Sequence, residues 1–360
     1  MASADQTRVR GPATARLGGI PAGISAPWTS SATQAGYVAA SRAASIFHRP
    51  WWLDAVTDGE WQAVESQIYA GVSAWLPVYI ERRFGRALIT MPPLTRTLGP
   101  IFSETKTASS PASRMRARHL ALTTLLRKLP PHLAFEQTFA PDFDDFLPFL
   151  LRGYRVGLAT CTFRLQSCTD LDVIWHGMRD KTRNVIRRAA ERFDVRLDVP
   201  PLDFVPFYFG NAGRRSWLPL CSRTRLEKLV GNAVRAGAGT VLNGVRRDGS
   251  VAAAIFVAWD NAYMYYLASS RDERIADNGV VSLLIWHAIR MAHQAGLSFD
   301  FDSYPNTTGL NFIRQFGGAP VPRWKAMFAP AAVRVAFYLE GRIRKTLYRF
   351  VRAEARLRVA

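Results

Sequence analysis

A chain of 360 residues with 48% apolar and 21% charged side chains is neither a disordered tail nor a fibre, and it has room for two units of about 150 residues. The longest apolar candidate, residues 251–268, is broken by Asp260 and Asn261, which excludes a membrane span on hydropathy. A net charge of +19 favours phosphate-bearing ligands, nucleic acid or an anionic membrane surface as partners, against a plain reading of solvated arginine-rich faces.

Residues 1–30 are rich in Ala, Gly, Ser and Thr and lack an apolar run, so they read as a flexible tail and not a secretory signal. A short strand or helix start follows at Tyr37–Ser45, then a helix at Phe47–Val56 carrying Trp51 and Trp52. Trp61–Tyr69 and Val72–Glu81 alternate as strands around an Ala70-Gly71 turn. Arg86–Met91 reads as a strand, and Pro92–Pro100 as a stiff loop. Pro111–Leu129 is a helix with Met115, Leu122, Leu125 and Leu126 on its apolar side. A strand at Leu133–Phe139, a helix at Phe143–Arg152 ended by Gly153, and a strand at Thr160–Gln166 complete the first half.

The second half opens with one long helix, Leu171–Phe193, capped by Thr169 or Asp170 and rich in arginine. A strand at Val195–Val199 and helices at Leu202–Gly210 and Arg223–Ala236 follow. Thr240–Arg247, Val251–Trp259 and Ala262–Ser269 are strands, with an Asp248-Gly249 turn between the first two. A helix at Gly279–Ala295, an acidic strand at Ser298–Tyr304, a helix at Thr308–Phe316 and a strand at Arg323–Phe328 come next. Residues 331–360 read as a basic amphipathic helix, with Leu339, Ile343, Leu347 and Phe350 on one side.

The element order occurs twice. Ala70-Gly71 corresponds to Asp248-Gly249, the helix 111–129 to 279–295, and Gly153 to Gly317. The period is too long for a solenoid, so the chain reads as a duplicated unit, 31–166 and 167–330. The fold class is α/β (α+β), each unit a mixed, mostly antiparallel sheet flanked by helices.

Several stretches carry a family resemblance: Trp51-Trp52-Leu53, Leu76-Pro77-Val78-Tyr79 and Pro92–Pro100 in the first unit. In the second they are 178–189, 287–296, Phe299-Asp300-Phe301-Asp302 and 312–317. Together they resemble the GNAT acyltransferases, in the FemAB-like and CelD-like branch that joins two such units. The resemblance implies transfer of an acyl group from acyl-CoA to an amine or hydroxyl, with no metal. It places the pantetheine arm along Leu267 and Ala268, and the pyrophosphate at Asn278, Gly279 and Val280. A helix N-terminus offers unpaired N–H groups there, and glycine allows close approach; Asp277 or Asn278 as a plain helix cap is the alternative. The glycine-rich loop usual in that family is reduced here to Arg271–Gly279, which contains Asp272, Glu273 and Asp277.

Amine acylation needs a base and a proton donor for the leaving group. Tyr265 and Tyr266 fall on opposite faces of their strand; Tyr266 is the candidate donor, against simple packing. Asp300 and Asp302 share a face and are candidates for binding or deprotonating the acceptor. Alternatively they pair with Arg314, Arg323 or Lys325 as structure. Lys181, Arg183, Arg187 and Arg188 form a basic helical face for the phosphates of a nucleotide-linked or lipid-linked acceptor, or a solvated surface. His287 and His293 are weaker candidates for the base. The three cysteines, Cys161, Cys168 and Cys221, have no metal-ligand spacing and read as free thiols of a reducing compartment. The expected setting is the cytoplasm, at the inner membrane face if the terminal helix seats on lipid. The acceptor classes are a small metabolite, a glycan or an envelope precursor. An aminoacyl-tRNA-dependent transferase and a non-catalytic binding protein on the same fold are the competing readings.

Overall fold

The computed structural model describes residues 31–331 and 333, except 67, 84, 105–109, 216–220, 273, 275–278 and 303–306. The flexible-tail expectation for 1–30 and most of the basic helix at 331–360 therefore lie outside the described residues. So does the cap at Asp277 or Asn278.

The first half runs α1 (Ser31–Ser41), α2 (Pro50–Thr57), β1 (Trp61–Glu65), β2 (Val72–Arg83), β3 (Arg86–Thr90), β4 (Ile101–Glu104), α3 (Pro111–Lys128), β5 (Ala134–Thr138), α4 (Leu147–Leu151) and β6 (Arg155–Leu165). The second runs α5 (Leu171–Gly177), α6 (Asp180–Ala190), β7 (Asp194–Arg196), α7 (Phe204–Arg215), α8 (Arg223–Arg235), β8 (Gly239–Val245), β9 (Val251–Trp259), β10 (Tyr263–Arg271), α9 (Val280–Gln294), β11 (Ser298–Asp300), α10 (Thr307–Ile313) and β12 (Ala319–Phe328).

Three expectations change. The single helix 171–193 is two, because Met178 and Arg179 adopt extended backbone. Arg183 stabilises the break by donating to the carbonyls of His176 and Met178, both at 2.8 Å, so it closes the C-terminal end of α5. The acidic strand stops at Asp300, because Asp302 enters the left-handed region at φ 63°. Met115 points outward and is 57% exposed, while Ala117, Ala121, Leu122, Leu125 and Leu126 form the buried stripe. The short strand β4 has no sequence counterpart in the reading above.

The strands form one twelve-stranded sheet in the order β1-β2-β3-β5-β12-β6-β11-β10-β9-β8-β7, with β4 on β2. It is mixed: β3 with β5, and β10 with β11, are parallel, and every other recorded pair is antiparallel. The runs β1-β2-β3-α3-β5-α4-β6 and β8-β9-β10-α9-β11-α10-β12 repeat one another. Their last strands are exchanged: β12 pairs with β5, and β6 pairs with β11. The two exchanged strands also pair with each other along Ala319–Met327.

One face of the sheet packs on α1, α2, α7 and α8, through Tyr37, Trp52, Tyr208 and Leu229 against Trp75, Phe256 and Tyr265. The other face carries two separate cores. One lies under α3 and α4, with Leu122 and Phe149 on Leu76 and Phe135. The other lies under α5, α6, α9 and α10, with Ile186 and Leu284 on Leu242 and Phe299. Alternation along β12 shows that these two cores share a face: Pro320, opposite Phe163, and Ala326 point the same way. Among the described residues no helix is long and apolar enough to cross a membrane.

Candidate active site

The parallel pair β10 and β11 holds for three rungs only, Tyr263–Tyr265 against Ser298–Asp300. Beyond the last rung the strands part. A bulge lies in β10 at the same place: Tyr266 is opposite Val257 and Ala268 is opposite Phe256, leaving Leu267 without a register partner. The corresponding gap in the first half, between β3 and β5, is filled by the chain itself. Leu98 donates its N–H to the Thr138 carbonyl at 2.7 Å, and Phe139 packs against Gly99. A Cβ at Gly99 would come within 2.5 Å of the Phe139 ring, so only glycine allows this closure.

Asp300 stands at the last rung and is fully buried. Its Oδ2 accepts from Arg164 Nε at 2.7 Å. Its Oδ1 accepts from Thr162 Oγ1 at 2.5 Å, from the Asp302 N–H at 2.7 Å and from Arg323 Nη2 at 3.4 Å. Asp302, 1% exposed, takes Arg96 Nε on its Oδ2 at 2.6 Å, and its carbonyl accepts from Arg323 Nη1 at 2.8 Å. Its Oδ1 accepts no hydrogen bond; Arg323 Nη1 lies 3.6 Å away. Two carboxylates thus meet three guanidinium groups, drawn from β6, from β12 and from the loop after β3. Burial raises the Asp302 pKa, and the charges of Arg96 and Arg323 oppose that rise.

The loop that carries Arg96 is fixed on its other side. Trp52 Nε1 donates to Thr95 Oγ1 at 3.0 Å, and the Gly99 N–H donates to His48 Nε2 at 3.2 Å. His48 is buried, and burial lowers its pKa to about 4. It is therefore neutral at pH 7, with Nδ1 3.0 Å from Ser45 Oγ and Nε2 3.3 Å from the Gly99 carbonyl oxygen.

Phe299 and Phe301 turn to the α9 side, with ring centroids 5.0 Å apart, while Asp300 and Asp302 turn to the α7–α8 side. Tyr265 shares the aspartate side, donating to Asp260 Oδ2 at 2.9 Å. Tyr266 lies on the α9 side and donates to Ser269 Oγ at 2.6 Å; burial pushes its pKa to about 12. Tyr266 is thus on the opposite face from the two aspartates. Leu267 and Ala268, each 6% exposed, pack in the core on the α7–α8 side.

The basic face of α6 is placed elsewhere. This helix packs on α9, so the sheet stands between it and the carboxylates. Arg183 is engaged at the end of α5. Arg187 donates to Asn184 Oδ1 at 3.0 Å and lies 5.4 Å from the Trp175 ring centroid. Lys181 and Arg188 are exposed. His287 lies on α9 and is only partly exposed, and burial takes its pKa down to about 4.

At the N-terminus of α9 the space beside Gly279 is taken by the chain. A Cβ there would lie 2.2 Å from Val185 Cγ1 and 3.1 Å from the Val185 carbonyl oxygen. Val280 is buried beneath Gly244. In the preceding loop the buried Asp272 is held by Arg274 at 3.0 Å and by Arg246, just after β8, at 3.4 Å, so these two cations are already committed. Gly279→Ala is expected to lose about 2–4 kcal/mol of stability, from the clash and from the φ of 76°. Denaturant midpoints check this; an unchanged midpoint would mean that α6 is not seated on Gly279.

Arg96, Arg164 and Thr162 join this site without a sequence signal strong enough to select them. Arg323 was among the sequence-level partners of the aspartates. Among the described residues no group of three His, Cys, Asp or Glu side chains is placed to hold a metal ion.

Residues 177–307 match the family model of an acetyltransferase (GNAT) domain. No curated protein matches the chain in sequence. Among solved structures, FemX superposes with a TM-score of 0.56 at 11% identity, covering 80% of this chain and 93% of FemX. The L-PGS structure from Bacillus licheniformis gives 0.51 at 12% identity, covering 87% and 96%. A domain described as the C-terminal part of a lysylphosphatidylglycerol synthetase from Agrobacterium fabrum gives 0.52 at 12%, covering 84% and 93%. At these identities the likeness is one of fold.

Proposed function

From a GNAT-type fold laid out as in FemX, we propose that this protein is an acyltransferase that moves an acyl group from a thioester donor, acyl-CoA, to an amine or hydroxyl. The observation that carries the reading is the parting of β10 and β11 beside the Leu267 bulge, with a buried, partly unsatisfied carboxylate at its inner end. Strand edges that part leave backbone N–H and C=O groups for an extended donor arm. Asp302 is the base: burial raises its pKa, and its Oδ1 accepts no hydrogen bond. Tyr266 remains a phenol at neutral pH and protonates the leaving thiolate from the other face. Asp300 holds Arg164 and Arg323, and so fixes the base. In this reading 31–166 and 167–330 are the two units, and the first has lost its cleft to the Leu98–Gly99 segment. The acceptor, a small metabolite or a glycan-linked or lipid-linked group, enters from the α7–α8 side. The exposed residues of α6, Lys181 and Arg188, lie on the α9 side of the sheet, away from the acceptor's side.

A second reading has its own observation. Val185 occupies the side of Gly279 toward which a Cβ would point, so helix packing alone accounts for a glycine at the place where CoA binding was expected to need one. An aminoacyl-tRNA donor needs no pyrophosphate there, and the net charge of +19 suits tRNA. One of the structural neighbours is named for joining a lysyl group to phosphatidylglycerol.

Calorimetric titration of the full chain with acetyl-CoA separates the two. Saturable binding that is retained in Asp302→Asn, with acyl transfer to a test amine slowed by about 10²–10⁴-fold, is the expected result. Silence towards acetyl-CoA, together with tRNA binding that weakens steeply with salt, would transfer the assignment to the second reading. Silence towards both would refute each of them.

A further inference from the structure

Among the described residues no helix covers the strip of sheet between the two cores on the α3–α9 face. There β6 and β12 place Leu158 opposite Trp324, 55% and 38% exposed. The helix beside the strip continues the apolar surface. Phe149 of α4 is fully buried, while Leu147, Leu150 and Leu151 face outward, and Leu151 is 78% exposed. Scattered exposed leucines need no explanation, but a contiguous group of them marks a surface that meets something apolar.

Charge on and around this surface says what that something is. Arg116 and Arg127 of α3 and Arg152 after α4 are exposed, and Arg118 neutralises Asp145. Asp142 and Asp144, in the turn before α4, are exposed acids on the same side. The chain leaves β12 at Phe328, which packs on Tyr154 under this face. The 30 residues that follow, 331–360, carry eight Arg or Lys and two Asp or Glu side chains. An apolar surface that includes an indole, in a chain whose next 30 residues are strongly basic, has the two attractions that hold a protein on anionic lipid.

We propose that this face seats on an anionic lipid bilayer. Leu147, Leu150, Leu151, Leu158 and Trp324 enter the headgroup layer, with the exposed Arg116, Arg127 and Arg152 around them. The membrane contact is then made by the sheet and α4. The cleft side of the sheet, with α7 and α8, faces away from the lipid.

The test is co-sedimentation of the full chain with vesicles of phosphatidylcholine mixed with phosphatidylglycerol, and with phosphatidylcholine alone. It reads neither donor nor acceptor, so its outcome is independent of the transfer chemistry. The wild-type chain is expected to pellet with the mixed vesicles at low salt and to stay in solution with the neutral ones. The double variant Leu150→Glu/Leu151→Glu alters two exposed side chains and is expected to keep its melting temperature. Its binding is expected to weaken by about tenfold or more. Equal binding of the two proteins, or no binding of either to the mixed vesicles, overturns the proposal. So does a wild-type dimer that the double variant converts to monomer, because the face would then be covered by a second copy of the chain.

Discussion

Asp300→Ala is expected to cost about 3–5 kcal/mol, a large part of the stability of an ordinary domain. The carboxylate is fully buried and is the meeting point of Arg164, Arg323, Thr162 and the Asp302 backbone. Removing it leaves Arg323, 1% exposed, with only Asp302 to face, and Arg164 with no anion within its recorded contacts. A buried charge stripped of its partner is what makes such a change expensive; the intact network itself contributes far less. Asp300→Asn keeps the shape and some of the hydrogen bonds and is expected to cost less. Arg323→Met, which also removes a charge, is expected to be partly compensating when combined with Asp300→Asn. A double-mutant cycle from urea titrations measures the coupling. Additive losses would mean that the two residues do not share one network.

Neither half of the chain is expected to fold when produced alone. A fragment ending after β6 has no β12 to cover the free edge of β5, and its own β6 lacks both neighbours, β12 and β11. A fragment starting at α5 lacks β6, so β11 loses its antiparallel partner and Asp300 loses Arg164 and Thr162. Expressed separately, each fragment is expected to be insoluble or to lack a cooperative transition. Expressed together, they are expected to recover one complex with a single melting transition. Independent cooperative unfolding of the two pieces would show that the exchanged strands are dispensable.

Much of this was legible in the sequence, for identifiable reasons. The strands β8, β9 and β10 and the helices α3, α8 and α9 are long and strongly periodic, and their positions agree with the expectation to within a few residues. Alternation alone put Asp300 and Asp302 opposite Phe299 and Phe301, and Tyr265 opposite Tyr266. The mixed, mostly antiparallel sheet flanked by helices was also readable from element order. What escaped was non-local. Arg96 and Arg164 reach the aspartates from 206 and 136 residues away, and no local pattern marks an arginine for such a role. The exchange of β6 and β12 leaves no trace in periodicity, because each strand has the same pattern whichever sheet half it joins. The break at Met178 was hidden by the helical composition on both sides of it. The occupancy of the space beside Gly279 by Val185 could not be foreseen either, since a glycine there reads the same whether a ligand or a side chain approaches.

The exchange has a consequence for how the protein is made. Strand β5 ends at Thr138 and its partner β12 ends at Phe328. At ordinary rates of translation the ribosome needs about 10–40 s to reach the second from the first. Throughout that interval the nascent first half carries an unpaired inner strand, the kind of edge that recruits other chains. The molecule is finished by almost the last strand to be synthesised. Its yield in the cell is therefore expected to depend on whatever shields β5 until β12 emerges, more than on the stability of the completed sheet.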